Sequence, residues 1–133
     1  MRGFESSEVP NTYAWGELNA RGVEPAVSFY ETVFGWTHTS MDIGEGQTYH
    51  TFQDGDQPVA GAMEMNPMVP AEVPSYWLAY FEVADIDATH RDAMDAGAQE
   101  LVGPQDFISG RFSILTDPQG ATFGLLQSTP MPG

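Results

Sequence analysis

The sequence predicts an α+β fold made of two βαβββ modules, and three observations carry that expectation. A short strand followed by an amphipathic helix occurs from Tyr13 to Trp36 and again from Trp77 to Gln99, with about 63 residues between matching positions. Behind each helix, turn signals cut the chain into three further short strands. A stretch holding Pro67, Pro70 and Pro74 separates the two runs and has the composition of a crossover. An internal repeat of this size constrains the fold more than any single motif does.

Residues 1–12 are polar, end in Val-Pro-Asn-Thr, and read as an arm or linker. Module one is placed at 13–65, the crossover at 66–75, module two at 76–128 and a tail at 129–133. In the opening strand, alternation sends Leu18 and Ala20 toward the helix and Trp15, Glu17 and Asn19 together to the opposite face. The helix carries Ala26, Phe29, Tyr30, Val33 and Phe34 at i, i+3, i+4, i+7 and i+8, the spacing of a buried stripe, with Pro25 suited to its first turn. Gly44-Glu45-Gly46 and Asp54-Gly55 mark the turns between the next three strands. In module two, Ala79, Phe81 and Val83 alternate with Leu78, Tyr80 and Glu82. Asp85 can cap a helix from Ile86 that closes near Gly97. Strands are expected around Glu100 to Val102, Arg111 to Thr116 and Ala121 to Leu126, the last two joined by the Asp117-Pro118-Gln119-Gly120 turn. Gly103 to Gly110 is expected as a loop, either a lid or a plain connection.

Composition removes several functions. The chain has 133 residues, no cysteine and a net charge of −15, from four arginines and no lysine against 19 acids. Without cysteine there is no disulfide, thiolate nucleophile or Cys-bound zinc, which fits a reducing, cytoplasmic setting. Nucleic acid is a poor partner for such a charge, because phosphates reward Lys and Arg. No stretch approaches the roughly 20 apolar residues of a membrane span, and Met1 to Thr12 holds no apolar run of signal-peptide length. The acidity itself suits either a solvated surface or the steering of a cationic small molecule.

The doubled plan, with W-x-E-L-N, A-x-x-FY-x-x-x-FGW, V-x-D-x-D-A and GRF-x-x-x-x-DPQGA in that order, resembles the vicinal oxygen chelate superfamily. That group includes glyoxalase I, bleomycin-resistance proteins, fosfomycin-resistance enzymes and extradiol dioxygenases. The nearest likeness is to the second domain of two-domain glyoxalase-like proteins labelled "hydroxylase" or "27 kDa antigen". The resemblance implies that the two modules curl a mixed sheet into a cup with the helices packed outside, pairing within one chain or between two. It also implies a divalent metal on the first and last strands of each module. Carried over by residue, the ligand positions fall on Trp15, Leu78, Gly124 and the stretch Gly61 to Glu64, where only Glu64 could ligate. One carboxylate does not hold Zn²⁺, Ni²⁺ or Fe²⁺, so the expectation is a cavity without metal or other cofactor.

Among candidate site residues, Glu17 is a carboxylate beside aromatic rings, which would raise its pKa toward that of a neutral-pH acid or base. Its other reading is a structural acid hydrogen-bonded to Tyr80 or a backbone amide. Trp15, Asn19, Tyr80 and Glu82 are candidate ligand contacts on the same cavity face. His38 and His50 would stand directly opposite each other in a hairpin centred on residue 44, as a proton relay, a weak metal pair or plain rim residues. His90 is expected on a solvated helix face near Asp87 and Arg91. Arg111 could hold an anionic ligand group or pair with an acid. Met41, Met63, Met65 and Met68 would line a pocket or fill the core.

Three functions follow as expectations. The first is a small-molecule cup in which Glu17 transfers a proton, as in an isomerase or lyase. The second is a drug-binding protein that sequesters a cationic or planar compound. The third is an inactive module that pairs with a second glyoxalase-like domain or forms a homodimer.

Overall fold

A computed structural model describes residues 9–107 and 109–129. Residues 1–8 of the expected arm and 130–133 of the expected tail lie outside them. The elements run β1 (Thr12–Ala20), α1 (Val23–Phe34), β2 (Thr37–Gly44), β3 (Gln47–Asp54), β4 (Gln57–Glu64), β5 (Tyr76–Glu82), α2 (Ile86–Asp95), β6 (Gln99–Phe107), β7 (Gly110–Thr116) and β8 (Thr122–Ser128). This is βαβββ twice. Chain contacts group Trp15–Leu78 into one compact unit, here the N-terminal unit, and the described residues from Ala79 onward, with the described residues before Trp15, into the other, the C-terminal unit.

In the N-terminal unit the strand order is β2-β3-β4-β1. β1 runs parallel to β4 and pairs Glu17 with Gly61, while β3 is antiparallel to β4 and pairs Thr51 with that same glycine. The core lies between sheet and α1, where Leu18, Ala20, Val23, Val27, Phe52, Ala60 and Ala62 are all buried. Leu18 and Ala20 do turn to the helix as alternation requires. The helix itself is rotated from the expected stripe: Val23 and Val27 are buried, Ala26 and Tyr30 half-buried, and Phe29, Val33 and Phe34 exposed. α1 is apolar over so much of its surface that spacing alone does not fix which side is down.

Glu64 explains how α1 starts. The residue ahead of the helix is Gly22, in the left-handed region with no side chain to cap it. Both Glu64 carboxylate oxygens accept from Gly22 N–H, and Oε1 also accepts from Val23 N–H at 2.9 Å. An anion at a helix N-terminus satisfies free donors and complements the dipole. Arg21 is held in turn by the crossover, donating to the carbonyls of Val73 and Pro70 at 2.8 and 2.7 Å.

In the C-terminal unit the order is β5-β8-β7-β6, with β5 parallel to β8 and Tyr80 opposite Gly124. Val83, Ile86, Leu115 and Leu125 form its core. Asp85 caps α2 by accepting from Ala88 N–H at 3.2 Å, and Gln127 Oε1 accepts from Ile86 N–H at 2.8 Å, the place Glu64 takes for α1. The expected loop at Gly103 to Gly110 is instead strand as far as Phe107, which pairs with Gly110. β6 is the outermost strand of its unit's order, and register shifts around Val102 let it accommodate Gly103 and Pro104.

His90 is not on a solvated face. It is buried beneath α2, with Nδ1 2.9 Å from Ser113 Oγ and Nε2 2.6 Å from Glu100 Oε1. Ser113 is fully buried, so this Ser-His-Glu chain holds a helix to its sheet and offers no accessible nucleophile.

Candidate functional site

The N-terminal unit gathers polar groups on the sheet face away from α1. Burial along β1 alternates: Ala14, Gly16, Leu18 and Ala20 are buried, while Trp15, Glu17 and Asn19 are partly open on the other side. Two strands over, Tyr49 extends across β4. Gly61 makes this possible, because a Cβ there would overlap the Tyr49 hydroxyl and ring. The phenol oxygen then accepts from Trp15 Nε1 at 3.0 Å.

Desolvation pushes the Glu17 pKa above the ordinary glutamate value, outweighing hydrogen bonds from Tyr49 and Asn19 that act to lower it. Although the residue keeps some solvent access, its carboxyl is enclosed enough for burial to dominate. Asn19 Nδ2 also lies 3.5 Å from the Glu17 carbonyl oxygen. Tyr76 faces the same charge: its pKa is raised by burial first and by Glu17 second. Met63 aligns with both Asn19 and Tyr49 in the strand register. A desolvated carboxyl, two phenols, an indole and an amide suit proton exchange with a small, partly aromatic molecule.

The other candidates are placed within their own units. His38 and His50 are on the helix side of their strands, since His50 aligns with buried Ala62 while its neighbour Tyr49 turns to the Glu17 face. They are diagonal, not opposite: His38 pairs with Phe52 and Ser40 with His50. The turn explains this shift: Glu45 and Gly46, both with positive φ, form a two-residue loop, and the irregularity between Asp42 and Gly44 then centres the strand pairs on residue 45. The rings are 5.5 Å apart, with His38 on Glu31 at 2.8 Å and His50 on Ser40 at 2.9 Å. Burial, then the neighbouring His38, lowers the His50 pKa.

In the C-terminal unit, Tyr80 is buried with its ring over Gly124, and Phe112 meets it edge-on at 6.5 Å. Glu82 is buried and its two oxygens accept from Ser128 N–H and Oγ, each at 2.8 Å. Arg111 donates to Asp87 at 2.9 Å and Asp106 at 3.1 Å, and the hydrogen bond from Arg111 holds the Asp87 pKa down. Met65 is core, whereas Met41 and Met68 are exposed.

The metal-ligand positions carried over by resemblance do not fit a transition metal. Trp15 and Leu78 offer no donor, Gly124 has no side chain, and Glu64 is spent on the α1 N-terminus. Among the described residues no three His, Asp or Glu side chains come together as a metal cluster. A cleft of about 380 Å³ beside that N-terminus is lined by Glu24, Glu45, Glu64 and Met65, among others, and Glu17 is not part of its wall.

Tyr49 and Tyr76 were not singled out by sequence. An interior-strand glycine such as Gly61 is the signal that a ring or ligand approaches closely.

A family profile described as Glyoxalase/Bleomycin resistance protein/Dioxygenase superfamily matches residues 10–125, and the chain belongs to that superfamily. It is 46% identical over 120 residues to "Putative glyoxylase CFP32" of Mycobacterium tuberculosis, a match covering 90% of this chain and 45% of that protein. It is 35% identical over 127 residues to the anthracycline biosynthesis protein DnrV of Streptomyces peucetius, covering 96% of this chain and 45% of that one. The chain thus spans somewhat under half the length of these relatives. Among solved structures, Streptomyces coelicolor methylmalonyl-CoA epimerase matches with a TM-score of 0.68 at 17% identity, over 92% of this chain and all of that one. The Mycobacterium tuberculosis methylmalonyl-CoA epimerase matches with a TM-score of 0.67 at 12% identity, over 97% and 95% of the two chains. The glyoxalase-like α+β fold is therefore shared with these enzymes.

Proposed function

We propose that this chain binds a small molecule on the Glu17 face of its N-terminal unit and that Glu17 exchanges a proton with it, without a metal held by side chains. The observation that carries this reading is a carboxyl desolvated enough to hold its proton more tightly than a free glutamate, set among Trp15, Tyr49, Asn19 and Tyr76. Trp15 and Asn19 are the ligand contacts on either side of it. The same fold serves an epimerase in the solved relatives, and epimerisation is removal and return of a proton at carbon. No nucleophile is needed for such a step.

The test is deuterium uptake from heavy water by a panel of small carbonyl compounds, followed by proton NMR. Wild-type protein should exchange at least one compound, and Glu17→Gln should slow that exchange by roughly a hundredfold or more. A Glu17→Gln protein as fast as wild type would contradict the assignment.

A second reading, sequestration of a planar or cationic compound, is favoured by the same rings beside an acid and by the net charge of −15. The relative named for anthracycline biosynthesis suits a fused-ring ligand. Micromolar binding without exchange would select this reading over the first. In either case we propose pairing with a second glyoxalase-like domain or a second copy, and a clean monomer by light scattering would count against the copy.

A further inference from the structure

Glu17, Gly61 and Tyr49 lie on three successive strands, β1, β4 and β3, in that spatial order. β4 contributes no side chain at the crossing point. The Tyr49 ring occupies the space that any Cβ on Gly61 would take, and its oxygen arrives 3.0 Å from Trp15 Nε1. An indole N–H can only donate, so the phenol oxygen is the acceptor in that bond. Its single proton is therefore directed elsewhere, and the Glu17 carboxylate is its hydrogen-bond partner.

We propose that Tyr49, seated in the gap left by Gly61 and oriented by Trp15, is the positioning residue of this site: it donates to Glu17 and leaves the carboxyl's remaining lone pairs facing a ligand. This rests on the reading of Glu17 as the proton-exchanging group. The repeat supports the assignment independently. The position 63 residues after Tyr49 is Phe112, which lacks a hydroxyl, and the position matching Glu17 is Tyr80, which is no acid. The phenol is present in the module that has the carboxyl and missing where the carboxyl is missing. Other groups facing Glu17 are Trp15 and Asn19 from β1 and Tyr76 from β5. Neither Trp15 nor Asn19 titrates, and Tyr76 ionises only in alkali.

The experiment is a carbon-13 NMR titration of the Glu17 carboxyl in protein labelled at glutamate, the resonance being assigned by its loss in Glu17→Gln. Tyr49→Phe keeps the ring and removes the donor, so Glu17 should bind its proton roughly tenfold more tightly than in wild type. Gly61→Ala keeps the hydroxyl but displaces the ring, and should move the midpoint the same way. A Tyr49→Phe protein with native near-ultraviolet circular dichroism and an unmoved or lowered Glu17 midpoint would overturn the proposal, whether or not Gly61→Ala folds. Because the readout is a titration and needs no substrate, its failure is separate from a failure of the deuterium-exchange assay.

Discussion

Positions 63 residues apart occupy the same places in the two modules, yet Val27 and His90, Glu17 and Tyr80, and Tyr49 and Phe112 differ in polarity. In module one Val27 and Phe52 are buried on the helix side of the sheet, where the polar His50–Ser40 pair lies toward β2, and the opposite face carries Glu17 and Tyr49. In module two the matching positions are His90, Leu115, Tyr80 and Phe112. A polar chain, His90 with Ser113 and Glu100, now lies under the helix, and the other face is filled by two aromatic rings. Even the glycine is shared: Gly61 makes room for Tyr49, and Gly124 makes room for Tyr80. One backbone plan has thus been fitted with a titratable face in one copy and a packed face in the other. A fold of this kind specifies where side chains go and leaves open what they do.

The largest effect that would sharpen this comparison is at the shared core position. Phe52 and Leu115 are both fully buried. Phe52→Ala should cost about 3–5 kcal/mol and Leu115→Ala about 2–5 kcal/mol in urea unfolding, large fractions of a typical domain's stability. A loss below about 1 kcal/mol at either site would mean that the two positions are not equivalent cores.

A smaller effect separates the modules. His90→Val, which installs the residue of module one, leaves the Ser113 hydroxyl buried without its partner and should cost about 1–3 kcal/mol. Adding Ser113→Ala removes the stranded group and should recover part of that loss. If the double variant is no more stable than the single one, the network is not what matters at this position.

The smallest effect has a definite sign. A carboxyl whose folded pKa is raised binds more protons in the folded state than in the unfolded state across the interval between the two values. Stability therefore falls as pH rises from the ordinary glutamate value of 4.5 through the folded pKa of Glu17. Glu17→Gln should gain stability relative to wild type over that interval and show no such gain below it. Chemical denaturation at several pH values measures the difference, and a gain confined to acid pH would reverse the assignment.

Much of the fold was legible because local signals agreed: two strand-helix runs at a fixed spacing, turn residues between strands, and prolines at the crossover. Alternation along β1 also placed Trp15, Glu17 and Asn19 on one face. The site's other half was not legible, since any β3 residue of the right parity could have crossed toward β1. Only the Tyr49 ring reaching into the space left empty at Gly61 selects one. His90 looked solvated from its charged neighbours in the helix, although its match to Val27 in the repeat marks a buried position. The hairpin register turned on a single residue, and a symmetric guess about Gly44 missed the two-residue loop at Glu45 and Gly46.

The claim that everything else leans on is that Glu17 keeps its proton to higher pH than an ordinary glutamate. Following the wild-type Glu17 carboxyl by carbon-13 NMR from acid to neutral pH measures this directly. A midpoint clearly above 4.5 is the expected result. A midpoint at or below that value would show an ordinary, solvated acid and remove the chemical role assigned to this face.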